Sequence, residues 1–96
     1  MYLVIDVEIK KTYNKYIYVI VGKNIKRIRK EKGLTQVQLA DLIQYNEGTV
    51  ANIENSSYQT FSLEFVYIIS KKLNVPMTEF YLMKKEPINF DSSFYL

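Results

Sequence analysis

The chain has no cysteine and no histidine among its 96 residues, and only three glycines and two prolines. Without cysteine there is neither a disulfide nor a thiolate, which fits a reducing compartment. Without histidine as well, nucleophilic triads and the common transition-metal sites lose their bases and ligands. The glycines, at positions 22, 33 and 48, are too scattered to form a phosphate-cradling loop. No apolar run approaches the roughly 20 residues of a membrane span, and the N-terminus lacks the basic start and cleavage pattern of a signal peptide. These absences point away from an enzyme, a cofactor, a metal site and a membrane protein. The expectation is a cytoplasmic domain with a single core.

A further absence is local. From Gly33 to Ser70 there is no Lys or Arg, whereas Asp41, Glu47, Glu54 and Glu64 are acidic. The net charge of +3 is generated elsewhere. Lys23, Lys26, Arg27, Arg29, Lys30 and Lys32 crowd into ten residues, with Glu31 as the one acid among them.

What is present is organised around Thr35 to Glu54. Thr35 and Gln38 have the spacing of a capping box, and Leu39, Leu42 and Ile43 follow at helical intervals with Ala40 among them. The pattern stops at Gln44-Tyr45. Asn46 is suited to cap a second helix, Glu47 complements the positive end of its dipole, and Val50 and Ile53 are placed to face inward. Two short helices around a brief turn outline a helix-turn-helix, whose second helix enters the DNA major groove.

The order of residue types goes further. Ile25, Ile28 and Arg29 are followed by Lys32-Gly33-Leu34-Thr35-Gln36 and Leu39-Ala40. Then come Thr49-Val50, Ile53-Glu54-Asn55, Ser62-Leu63 and Leu73-Asn74-Val75. Between Ile25 and Tyr81 the chain thus resembles the Xre/Cro-type family of phage and bacterial repressors. The resemblance implies a mainly α, five-helix, lambda-repressor-like domain over residues 22–83. It implies contact with double-stranded DNA through Gln36, Asn46, Glu47, Gly48, Thr49 and Asn52, and through Asn55, Ser57 and Tyr58 in the turn that follows. Asn52 suits adenine and Glu47 suits cytosine N4. It also implies a structural ion pair between Arg29 and Glu54.

The ends lie outside that pattern. In residues 1–21, Leu3, Ile5, Val7 and Ile9 alternate with Val4, Asp6, Glu8 and Lys10, and Tyr16 to Val21 form a second β-prone run. With Asn14 between them, the expectation is an N-terminal β-hairpin, separated from a first helix over about 23–32 by Gly22. The hairpin is read either as an added layer on the core or as a dimerisation strand. Ser62 is placed to cap a fourth helix with Leu63, Val66, Ile69 and Leu73 on its inner stripe, and Pro76 to start a fifth, 77–83. Pro87 breaks a tail, 84–96, that is rich in Phe, Tyr and Leu. Apolar surplus at both ends predicts a homodimer through the hairpin, or through the C-terminal helix and tail. Two functions stay open. One is a sequence-specific regulator, a repressor reading a pseudo-palindromic operator; the other is a protein-binding module on the same fold, antitoxin-like or phage-encoded.

Overall fold

The structure is a computed structural model that describes residues 2–55 and 59–83, with side chains from Tyr16 onward. Its elements are α1 (Tyr2–Glu31), α2 (Gln36–Ile43), α3 (Glu47–Glu54), α4 (Leu63–Leu73) and a short 3-10 helix, Met77–Tyr81. Among the described residues there is no strand. The N-terminal β-hairpin and the five-helix count are both corrected: the described residues hold four α-helices, and residues 2–21 begin a first helix 30 residues long.

The physical reason lies in the turn and in the core. A tight hairpin needs residues that tolerate positive φ, and Lys11 to Lys15 offers only Asn14. Val21, Ile25 and Ile28, each at most 2% exposed, fix the second half of α1 against the core. Once a helix is nucleated, each further residue adds a hydrogen bond at the cost of fixing one residue. Ile17, Val21, Ile25 and Ile28 carry the three- and four-residue rhythm straight through Gly22.

Gly22 is therefore not a break. It is buried inside α1, where a Cβ would run into the carbonyl oxygen of Ile53 and lie 3.1 Å from its carbonyl carbon. Glycine lets the backbones of α1 and α3 touch at this crossing. The helix ends where Gly33 takes φ 75° and its N–H donates to the Lys30 carbonyl at 2.9 Å.

The core gathers Leu39, Ala40 and Ile43 from α2, Val50 and Ile53 from α3, and Phe65, Val66, Ile69 and Leu73 from α4 around α1, with Phe80 closing the far side. Leu42 and Leu63, placed on inner stripes by spacing, are 39% and 69% exposed, and Ala40 and Phe65 fill the core instead. Asn24, 4% exposed, donates its amide to the carbonyls of Phe80 and Leu82, both at 2.8 Å. One side chain thus ties the 3-10 helix to α1. That helix is no α-helix: Glu79 N–H reaches back three residues to the Pro76 carbonyl at 3.0 Å. Residues 84–96, the expected C-terminal tail, lie outside the described residues.

Candidate nucleic-acid interface

Local chemistry sets both helices of the pair. Thr35 Oγ1 accepts from Gln38 N–H at 3.1 Å, and Gln38 Oε1 accepts from Thr35 N–H at 2.9 Å, so α2 opens on a complete capping box. It closes at Gln44, which takes the left-handed φ of 61°, an uncommon conformation for a side chain this long. That hinge turns the chain into α3, where Asn46 Oδ1 accepts from Gly48 N–H at 2.7 Å. The cap engages the side-chain oxygen of Asn46, one of the candidate DNA contacts.

Val50 and Ile53 pin α3 inward, which leaves Glu47, Gly48 and Asn52 exposed and Thr49 half-buried. Asn55 is exposed and caps the helix end, its N–H donating to the Ala51 carbonyl at 2.9 Å. Ser57 and Tyr58 lie outside the described residues. The outward face of α3 is thus short, polar and free of cations.

Beneath that face is a buried polar hub. Arg29 Nε donates to Glu54 Oε2 at 2.7 Å and a terminal nitrogen to Oε1 at 2.9 Å, while the other terminal nitrogen donates to the Leu34 carbonyl at 2.6 Å. Arg29 and Glu54 are 6% and 2% exposed. A fork-on-fork pair of this kind fixes orientation as well as distance. Gln36 Nε2 adds a third donor to Glu54 Oε1 at 3.1 Å. One carboxylate therefore holds α1, the first residue of α2 and the last residue of α3 in a fixed relation. The Gln36 amide, a candidate phosphate contact, is already engaged inside the protein.

Two positioning residues escape a reading of the sequence alone. Gly22 reads there as a separator, although only glycine permits the crossing beside Ile53. Asn24 carries a faint signal, a polar residue interrupting the apolar face formed by Val21, Ile25 and Ile28. Among the described residues no group of three or more acidic residues is placed to hold a metal ion, and no helix is long and apolar enough to cross a membrane.

Two short helices meeting through a left-handed hinge, the second turned polar side out, define a helix-turn-helix domain. Residues 25–80 match the helix-turn-helix family, and the chain belongs to it, in its Xre-like branch. The chain is similar to the immunity repressor protein of Bacillus phage phi105, with 36% identity over 76 residues that cover 75% of this chain and 52% of that one. It is also similar to the antitoxin PezA of Streptococcus pneumoniae serotype 4, with 36% identity over 56 residues, 58% of this chain and 35% of the relative. The chain thus spans about a third to a half of the length of these curated relatives. Among solved structures, the restriction-modification controller protein C.AhdI from Aeromonas hydrophila superposes with a TM-score of 0.61 at 25% identity, covering 67% of this chain and 96% of that one.

Proposed function

We propose that this chain is a cytoplasmic DNA-binding transcriptional regulator, acting as a repressor, that reads a pseudo-palindromic operator as a homodimer. The observation that carries this reading is the outward face of α3, Glu47, Gly48, Thr49 and Asn52, held rigid from behind by Arg29, Gln36 and Glu54. The similarity to a phage immunity repressor and to a restriction-modification controller supports it. In a dimer, two such helices enter successive major grooves about 34 Å apart. Asn52 pairs with adenine there, and Glu47 accepts from cytosine N4. Asn55, Ser57 and Tyr58 donate to phosphates beside the groove.

Charge gives this reading a measurable signature. Phosphate neutralisation by Lys and Arg supplies most non-specific affinity and its salt dependence, and no cation lies between Gly33 and Ser70. Attraction then comes from α1, and the salt dependence of binding is shallow. The test is an electrophoretic or anisotropy titration against the DNA upstream of the protein's own gene, at ~50 mM and at moderate salt. Saturable binding to one region with a shallow salt slope is expected. No binding above background at the lower salt, with the dimer confirmed, overturns the reading.

The second reading, a protein-binding module on the same fold, is favoured by the similarity to an antitoxin. The exposed Val37, Leu42 and Tyr45 around α2 offer such a module an apolar contact. Failure of the DNA titration makes it the leading account.

A further inference from the structure

On the side of the domain away from the reading face, Ile17, Tyr18 and Val21 of α1 line an apolar groove of about 160 Å³ with Phe61, Leu63 and Tyr81. Its base is firm: Val21 is buried, and Tyr18 meets Phe61 edge to face at 4.9 Å. Its rim is open, with Ile17 and Tyr81 each 36% exposed and Leu63 69%, a large apolar edge for so small a domain. The chain leaves the 3-10 helix at this same place. Tyr81 is part of the groove wall, and the Asn24 amide holds the carbonyls of Phe80 and Leu82 on either side of it. Arg27 reaches Asn24 Oδ1 at 3.5 Å and supports that clamp from α1. The exit point is therefore fixed beside the groove. Beyond Met83 the sequence continues for thirteen residues, 84–96, which lie outside the described residues.

We propose that residues 84–96 are the occupant: the segment turns back over the groove of its own chain and covers Ile17, Leu63 and Tyr81. Composition is ordered for this. Lys84, Lys85 and Glu86 form a charged connection, and Ile88, Phe90, Phe94, Tyr95 and Leu96 follow it, with Asp91 as the one charge among them. Length also suffices. Phe90 stands seven residues past Met83, a reach of up to about 24 Å at ~3.4 Å per residue, and the molecule is 25 and 22 Å across its two short axes. Tethering then decides between occupants. A segment joined to its site by a few residues meets it at an effective concentration in the millimolar range. A second copy or another protein at micromolar concentration starts about a thousandfold behind for equal contact. Removal of apolar surface from water on both sides supplies the attraction. No residue of α3 takes part, so the inference stands apart from the DNA reading.

Paramagnetic broadening in NMR spectra of the full chain tests this. The chain has no cysteine, so Ser92→Cys gives a single attachment point for a nitroxide and keeps the apolar residues around it. With spin label and isotope label on the same chain, the amide signals of Ile17, Tyr18 and Leu63 should broaden. Those of Thr35 to Gln38, beside the other end of α1, should stay sharp. A mixture of spin-labelled chain without isotope and isotope-labelled chain without spin label should show no broadening. Phe90→Ser/Phe94→Ser in the labelled chain should remove most of the effect at Ile17 and Tyr18, and Leu63→Ser should do the same from the groove side. Unchanged core signals of Leu39 and Phe65 report that each variant stays folded. Broadening in the mixture overturns the proposal and gives the groove to a second copy. Broadening that survives both substitutions overturns it too, since nearness of the tether would then account for it. No broadening at Ile17 and Tyr18 overturns it outright and leaves the groove to another protein. A parent chain that ignores DNA sinks the proposed function and leaves this result untouched.

Discussion

Between Lys23 and Lys32, α1 carries six cations and one acid; across α2, the hinge and α3 there is no cation at all. The two regions are nevertheless locked together, through the contact of Gly22 with Ile53 and through the Arg29–Glu54 pair. The contrast shows a division of labour. Arg29 is the one cation of that cluster turned into the core, where its charge is consumed by Glu54 and the Leu34 carbonyl. Lys23, Lys30 and Lys32 stay exposed, and Arg27 pairs with Glu31, one helical turn away at 3.2 Å, and reaches Asn24 Oδ1 at 3.5 Å. In the proposed function α1 supplies long-range attraction, and α3 supplies uncharged groups for reading bases.

The strongest way to break the comparison is to unlock the two regions. Arg29→Met or Glu54→Leu alone leaves an uncompensated buried charge and should cost about 3–5 kcal/mol. The double variant should lose clearly less than the sum of the singles, read from urea midpoints. Additive losses would mean that the two residues do not act as a pair.

Two glycines, Gly22 in the interior of α1 and Gly48 in the first turn of α3, give the next largest effect and set the regions against each other. Gly22→Ala drives a methyl group into the Ile53 backbone and should destabilise by about 1–3 kcal/mol, despite the gain in helix propensity. At Gly48 a Cβ would lie 2.9 Å from Asn46 Oδ1, the end of a side chain that can rotate away. Gly48→Ala trades about 1 kcal/mol of propensity against a weakened cap of similar size and should leave stability nearly unchanged. Thermal midpoints measured side by side would show whether backbone contact, rather than helix position, separates them.

Function sharpens the contrast further. Asn52 is exposed, so Asn52→Ala should leave the melting curve alone and cost about 1–3 kcal/mol on the preferred DNA site, relaxing preference at one base pair. The same loss on every sequence would remove it from a base-reading role. The smallest effect belongs to α1. Lys30→Gln or Lys32→Gln should weaken binding to all sequences alike and flatten the salt slope by about one unit if that lysine meets a phosphate. A change in sequence preference would assign it to the groove instead.

The two helices of the reading unit were legible because their signals are local. Thr35 with Gln38, Asn46 with Gly48, and Ser62 with Phe65 N–H at 3.1 Å are contacts made within three residues of sequence. The inward pattern of Val50 and Ile53 needs only the helical period. Cap chemistry and spacing determined where α2, α3 and α4 begin, and the order of residue types carried the family.

The Arg29–Glu54 pair, 25 residues apart, was implied by the family resemblance, but the other features that depend on a distant partner were decided by the tertiary structure. The run from Tyr2 to Val21 has apolar residues at neighbouring as well as alternate positions, which fits either period. Its conformation follows from being continuous with a segment that the core fixes as helix. Gly22 looks like punctuation until Ile53, 31 residues on, approaches its Cα. Asn24 looks like a surface residue until the carbonyls of Phe80 and Leu82 arrive, and Gln36 looks free until Glu54 accepts its amide. A short-range hydrogen bond is encoded where it is made. A close crossing or a buried polar contact exists only once the chain has brought both partners together.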